Sequence, residues 1–423
     1  MKSSRLIVVL RWLSVNLCRM ALAMSLIFSG AVKLIDPRGT EYKIKDYAVA
    51  FGFDEVMGFY LPLAMSMALA MAEFCLGVNL LFGSNRRWTS RGVLVMLCLF
   101  TPLTLYLAVA NPVADCGCFG DAWVLTNWQS FGKNVILLVC AAVVCRWYRH
   151  ETRLISEHNQ WLVTLYTWLY ALVLSLYCVY TLPVIDFRPY HIGADLEEKM
   201  QWKDGDDTPP PLFNLFITDP RTGEDLTDSV VLGRGWKFLV VIPRVEHADD
   251  GVMDRLAELT DYCGQYGYML VALTASSDSL VEYWRDITGA EYPFLWADEI
   301  PLKTMVRSNP GLMLLKDSRV AGKWASSQIP QPQDLTGPLE QMPWADKGES
   351  TYLERLVILL MWYLIPLGVI TILDRMWAGV RFYRGRRKEK ESVGDLDAEG
   401  EETGDEEQCM ENNATCDDIS DNI

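Results

Sequence analysis

Histidine and surface base are scarce in this chain, and the scarcity narrows what it can do. There are only four histidines in 423 residues. Two of them, His191 and His247, fall in the long polar stretch of the second half, far in sequence from any pair of cysteines. Two thiolates alone do not close a metal site, so a metal centre has no evident ligand set. No basic patch marks the polar stretch, which argues against nucleic acid as a partner. No apolar run is broken at its middle by a Gly/Pro pair, as a transporter's discontinuous helices would be. Lys and Arg are missing altogether between positions 111 and 129.

Apolar residues are abundant. They make up 51% of the chain, too many for a soluble protein and too few for a bare helical bundle, so membrane helices plus one soluble domain are expected. The formal net charge of −16 sits mostly in positions 389–423, where Asp395, Asp397, Glu399, Glu401 and Glu402 crowd together. Such a segment reads as a disordered acidic tail.

Six apolar runs approach the ~20 residues needed to cross a bilayer. They lie at about 12–35, 59–82, 93–110, 131–145, 161–184 and 353–373, the fourth being the shortest. The first is too long for a cleaved signal peptide and is interrupted by Arg19, so it reads as retained. Arg86, Arg87 and Arg91, then Arg146, Arg149 and Arg153, then the run from Arg375 to Lys388, all fall on the same side as Lys2, Arg5 and Arg11. By the positive-inside rule that side, with both termini, is cytoplasmic. Lys33, Arg38, Lys43 and Lys45 dissent, but Asp36, Glu41 and Asp46 are interleaved with them. Positions 186–350 are then external.

Of the eleven cysteines, Cys18, Cys75, Cys98, Cys140, Cys145 and Cys178 lie in or beside apolar runs, where Cys is an inert small filler, and Cys409 and Cys416 lie in the tail. Cys116, Cys118 and Cys263 remain. The loop after the third run reads Asp115-Cys116-Gly117-Cys118-Phe119-Gly120-Asp121. Cysteines two apart reach disulfide distance only through a tight turn, which Gly117 permits. So small a ring is strained and easily reduced, which suits thiol exchange better than stapling. Structural packing without turnover and metal binding are the competing readings.

Phe28-Ser29-Gly30, followed by Lys33 and Asp36-Pro37, resembles the opening of the DoxX-like membrane proteins. Asp115-Cys116-Gly117-Cys118-Phe119-Gly120 resembles the signature of the MauE branch of that group, and the likeness spans about residues 11–146, a four-helix unit. It implies a redox association and, for MauE, disulfide formation in a partner enzyme, but nothing in the residues points to methylamine metabolism itself. Only the Cys116/Cys118 pair and the redox role are carried over.

Arg19 sits roughly 11 Å above the inner end of the first run, by helical rise. Glu73 is expected at comparable depth in the second. An intramembrane charge marks a functional site and expects a partner. The Arg19–Glu73 pair is read either as an ion pair locking two helices or as a proton or quinone site. Lys33 and Asp36 lie near the outer boundary, where snorkelling costs little.

The external stretch alternates strand and helix from Pro209 onward. Strands are expected at 212–218, 237–242, 268–274, 294–297, 311–316 and 320–324. Helices are expected through Met253–Cys263, over 277–288 with a serine N-cap, and near 302–307. A βαβ core followed by a proline-preceded hairpin resembles the thioredoxin fold, with Pro310 where that fold carries a cis-proline. Where an active thioredoxin has its cysteines, this chain reads Pro243-Arg244-Val245-Glu246-His247-Ala248. Cys263 falls in an apolar stripe, so the domain reads as redox-silent. His247 is read as solvent-facing or a local cap, with a repurposed site as the alternative.

The expected fold is therefore membrane α-helical. It comprises a DoxX/MauE-like four-helix bundle (1–150), a fifth helix (151–185), an inserted α/β thioredoxin-like external domain (186–350), a sixth helix with a basic anchor (351–388) and the tail (389–423). Two functions compete. One is a thiol–disulfide oxidoreductase of the bacterial inner membrane, acting through Cys116 and Cys118 on an external protein substrate or redox partner, with quinone as the conceivable electron carrier. The other is a non-enzymatic scaffold with structural cysteines. Topology mapping tests the frame: reporters after Gly120 or at Asp204 are expected outside, and those after Arg91 or at Glu399 inside. A cytoplasmic signal at Asp204 overturns the orientation.

Overall fold

The computed structural model describes residues 2–58, 60–113, 115–202, 209–345, 353–381 and 383–384. The acidic tail, Asp204 and the last basic residues before the tail lie outside them. The first part of the chain is helical: α1 (Lys2–Ile35), α2 (Pro37–Phe51), the single turn α3 (Asp54–Met57), α4 (Leu61–Phe82), α5 (Arg86–Ala110), α6 (Asn127–Arg146) and α7 (Gln160–Tyr180). A last helix, α12 (Leu353–Arg381), follows the soluble domain. Among the described residues six helices are long and apolar enough to cross a membrane: α1 from Leu6, α4, α5, α6, α7 and α12. Of these, α1, α5, α6 and α12 extend beyond the apolar runs by several residues, because polar first and last turns continue the helices, whereas α4 lies within its run. Thr126, for example, caps α6 in a reciprocal box with Gln129.

Small residues set the register between α1 and the antiparallel α4. A Cβ at Gly30 would lie 2.5 Å from the Phe74 backbone nitrogen, and one at Gly77 would lie 2.8 Å from that of Ile27. These close approaches place residue 30 opposite 74 and residue 27 opposite 77. Glu73 therefore faces Ser29 and Lys33, while Arg19 lies level with the far end of α4, beside Gly83. The expected Arg19–Glu73 pair does not form. Arg19 instead donates to the Thr152 carbonyl and, at 2.9 Å, to the Thr152 hydroxyl in the loop between α6 and α7. Apolar-run boundaries locate depth only to within a few residues, and here the error exceeds the reach of a side chain.

Contacts sort the helix ends onto two faces. Asn16, Arg19, Arg86 and Asp374 bond to the 149–159 segment on one face. On the other, Asp36 and Asp121 meet Arg307 of the soluble domain. The stretch between α1 and α4, which reads as a charged loop, forms α2, started by Asp36, whose carboxylate accepts from Gly39 N at 2.9 Å, and by Pro37 at its first turn.

The soluble domain holds α8 (Leu196–Met200), β1 (Ile217–Thr218), β2 (Trp236–Ile242), α9 (Met253–Tyr266), β3 (Met269–Thr274), α10 (Asp278–Thr288), β4 (Phe294–Ala297), α11 (Glu299–Met305), β5 (Gly311–Lys316) and β6 (Arg319–Ala325). Its six-stranded sheet runs β1-β4-β3-β2-β5-β6. Strands β2, β3 and β4 are parallel, while β5, β6 and β1 join antiparallel. All seven residues of β2 are buried. Trp236, Phe238, Val240 and Ile242 face the α9 side, and Leu239 and Val241 face the side of α8 and α11. A sheet covered on both faces has continuous apolar strands, which is how KFLVVI reads. The 212–218 strand shrinks to two residues because short β4 offers β1 only two partners, though Leu212 and Leu215 still enter the core. The Asn309–Pro310 bond is cis.

Placing a side chain at Gly30 forces α1 off the α4 backbone. Gly30→Val is expected to cost about 1–3 kcal/mol as overpacking. It should appear as a lower melting midpoint in detergent, whereas Gly132→Ala, where a Cβ meets nothing within 4 Å, leaves the midpoint in place or raises it. Equal midpoints for Gly30→Val and wild type contradict this packing.

Candidate thiol site

The loop between α5 and α6 folds back over the domain-side end of the bundle. Gly117 has φ +62° and supplies the left-handed residue that lets the chain reverse between the cysteines. The turn is pinned from two helices, α1 and α2. Asp115 accepts from Gly117 N at 2.9 Å through one carboxylate oxygen and pairs with Lys43 of α2 at 2.9 Å through the other. The Tyr47 hydroxyl, one turn further along α2, donates to the Cys116 carbonyl at 2.6 Å. The Ser29 hydroxyl of α1 lies 2.7 Å from the Cys118 carbonyl. Both cysteines are half-buried and unbridged, with their sulfurs 2.7 Å apart.

Beneath the turn sits a buried ion pair. Lys33 Nζ lies 2.7 and 2.8 Å from the two oxygens of Glu73 and donates to Ser29 Oγ at 2.9 Å. Ser29 Oγ is also 2.6 Å from Glu73 Oε2. The hydroxyl has one proton, so it serves either Glu73 or the Cys118 carbonyl at any moment. Lys33 is thus turned inward, 6% exposed, and does not snorkel to the boundary. Glu73 has found its cation two residues from the end of α1, not at Arg19.

The electrostatics of the two thiols differ. Cys118 is held below the ordinary thiol range. The main cause is the hydrogen bond it accepts from Cys116; the ammonium groups of Lys133 and Lys33 then act against its burial. Cys116 is pushed up, first because it donates that bond and then by burial. The neighbouring Asp115 carboxylate is engaged with Lys43 and Gly117. Lys133 lies 4.1 Å over the ring of Phe119, which is buried edge-on against Phe28 at 5.2 Å. A cavity of about 100 Å³ adjoins both sulfurs, Lys33 and Glu73, and its floor is formed by Leu97, Phe100, Leu137 and Asn134.

The soluble domain docks beside the site. Arg307 bridges Asp36 at 3.0 Å and Asp121 at 2.8 Å, and stacks on Tyr42 at 5.2 Å. Pro310 stands apart from the thiols, beside the 243–249 loop, where Asn309 Nδ2 donates to the Arg244 carbonyl at 2.7 Å. Cys263 is buried, and burial pushes its thiol up to about 12. Sequence reasoning found Cys116, Cys118, Ser29, Lys33 and Glu73 but missed Lys43, Tyr47, Lys133, Asp121 and Arg307. The signal for the first two was the helical spacing Asp36, Lys43, Tyr47. For Lys133 it was a lone cation within the fourth apolar run. No groups of residues suited to hold a metal ion occur among the described residues.

Residues 10–147 match the family model of methylamine utilisation protein MauE. The match runs from within α1 to just past α6 and contains both cysteines, Ser29, Lys33 and Glu73. No curated protein matches the chain.

Because Cys118 is the lowered thiol, its alkylation rate should hold as pH falls below about 8.5, the ordinary thiol value. The rate should be lost only at lower pH, as the thiolate is protonated. Lys133→Ala is expected to move that profile upward and slow Cys118 alkylation several-fold near pH 7, followed by peptide mapping. A profile indifferent to Lys133 rejects this account of the thiolate.

Proposed function

We propose that this protein is a membrane thiol–disulfide exchange factor whose reactive pair is Cys116 and Cys118. The observation that carries the reading is the pair itself: two sulfurs 2.7 Å apart across a left-handed glycine, one thiol donating to the other, with two lysines close by. Cys118 is the attacking group. Its thiolate attacks one sulfur of a substrate disulfide and expels the other as a thiolate. The Cys116 thiol, losing its proton, then attacks Cys118 in the mixed disulfide and releases the second substrate thiolate. The substrate gains two electrons and the pair is oxidised to a disulfide; the same steps reversed oxidise a dithiol substrate.

The cavity below the sulfurs fits a quinone-type ring, with Phe100 and Leu137 as apolar walls and Lys133 and Asn134 as donors. Such a group, when bound, would supply the two-electron sink or source that regenerates the pair. The residues of this chain keep the thiols adjacent and stabilise the Cys118 thiolate.

We read the soluble domain as a thioredoxin-like relative without its cysteines, used to hold or recruit the external substrate protein. Its β2-α9-β3 unit followed by the β5-β6 hairpin supports this, and its only cysteine, Cys263, is buried among Leu256, Leu259 and Tyr262. The positive-inside pattern supports a position of this domain and the thiols outside the cytoplasmic membrane. The scaffold reading gains support from the dense pinning of the loop, which would equally hold a structural turn.

Replacing the resolving thiol is the decisive test. Cys116→Ser should accumulate a covalent adduct with the substrate protein, visible on non-reducing gels and removed by reductant. Cys118→Ser should not, and Cys263→Ala should leave the pattern unchanged. If neither loop variant captures any protein, and the double variant supports all that the wild type supports, the exchange reading falls and the scaffold reading replaces it.

A further inference from the structure

A second cavity lies away from the thiols. It occupies about 1040 Å³ between α7, α12 and the underside of the soluble domain. The two helices meet at its lower end, where Tyr170 donates to the Leu359 carbonyl at 3.0 Å. Toward the domain they leave a cleft. From Tyr166 to Tyr180 the helical rise gives it a depth of about 20 Å, the length of an extended acyl chain. Its walls are apolar and face outward: Leu169, Val173 and Ile358 are each about half exposed or more. Both walls are membrane-spanning helices, so the cleft opens sideways at bilayer depth.

Its upper end is charged. Lys323, itself 5% exposed, donates to Asp186 at 2.7 Å, and Arg188 donates to the other oxygen of the same carboxylate at 2.7 Å. Arg355 and His191 complete the rim. Of the charges that line the cleft, Asp186 is balanced by Lys323, and Arg355 adds an unbalanced positive charge at the upper end. A long apolar slot under a net positive rim is the complement of an amphiphile with an anionic head.

We propose that this cleft binds one anionic phospholipid, its phosphate at Arg355 and Lys323 and an acyl chain between α7 and α12. Such a lipid would fill the gap between the last helix and the bundle and so tie the soluble domain to the membrane surface. This inference does not depend on the thiol chemistry.

The test uses the full chain in nanodiscs containing equal phosphatidylglycerol and phosphatidylcholine, with lipids retained on the protein counted by native mass spectrometry. Wild type is expected to keep one phosphatidylglycerol. Leu359→Trp, which fills the slot, should lose it, and Arg355→Glu should lose the preference for the anionic lipid several-fold, while Arg355→Lys keeps it. The melting midpoint of each variant reports folding, and the Arg355 pair stands even if Leu359→Trp misfolds. Retention of no lipid, equal retention of both lipids by wild type, or unchanged selectivity in Arg355→Glu overturns the proposal.

Discussion

The Lys33–Glu73 ion pair is the point from which the thiol site is built. Two charges buried between membrane helices are costly to desolvate and are tolerated only when their remaining hydrogen-bonding capacity is filled. Here Lys33 uses both carboxylate oxygens of Glu73 and the Ser29 hydroxyl, and Ser29 carries the contact on to the Cys118 carbonyl. Removing either charge would strand the other, a loss of about 3–5 kcal/mol. The pair therefore fixes the α1–α4 register electrostatically at the same level where Gly30 and Phe74 fix it sterically. It also sets Lys33 beneath Cys118, where its charge favours the thiolate against the opposing Glu73.

The second constraint is Arg307. It belongs to the soluble domain but takes its anions from the bundle, Asp36 at the start of α2 and Asp121 just after the thiol turn. Asp36 thus acts twice, as the cap of α2 and as a docking carboxylate. Because α2 also supplies Lys43 and Tyr47 to the turn, a shift of the domain would be felt along one short helix at Asp115 and Cys116. The domain's position and the geometry of the thiols are coupled through this helix.

These arrangements give each of the Ser29-Gly30, Lys33 and Asp36-Pro37 positions near the end of α1 a task. Ser29 and Lys33 point into the bundle toward Glu73, Gly30 allows the close approach, and Asp36-Pro37 turns the chain into α2. Each has a separate physical task, and all of them converge on the loop that contains Cys116 and Cys118.

Much was legible in the sequence because it rests on local composition. Bilayer thickness dictates the length of apolar runs, so six spans could be counted. The pairing of β2 with neighbours on both sides dictates an unbroken apolar strand, so the sheet's centre could be found. A Cys-Gly-Cys turn carries its own geometry, so the thiol pair stood out. Partnership across helices was not legible. Glu73 has two cations within plausible depth, Arg19 and Lys33, and only the packing of Gly30 and Gly77 against the opposite backbone selects Lys33. Arg307, 186 positions from Asp121, meets it solely because the domain folds back onto the bundle. Local hydrophobicity and turn chemistry are properties of neighbouring residues and are written in order along the chain. Helix register and domain docking depend on side chains brought together from distant positions, and only the tertiary structure decides them.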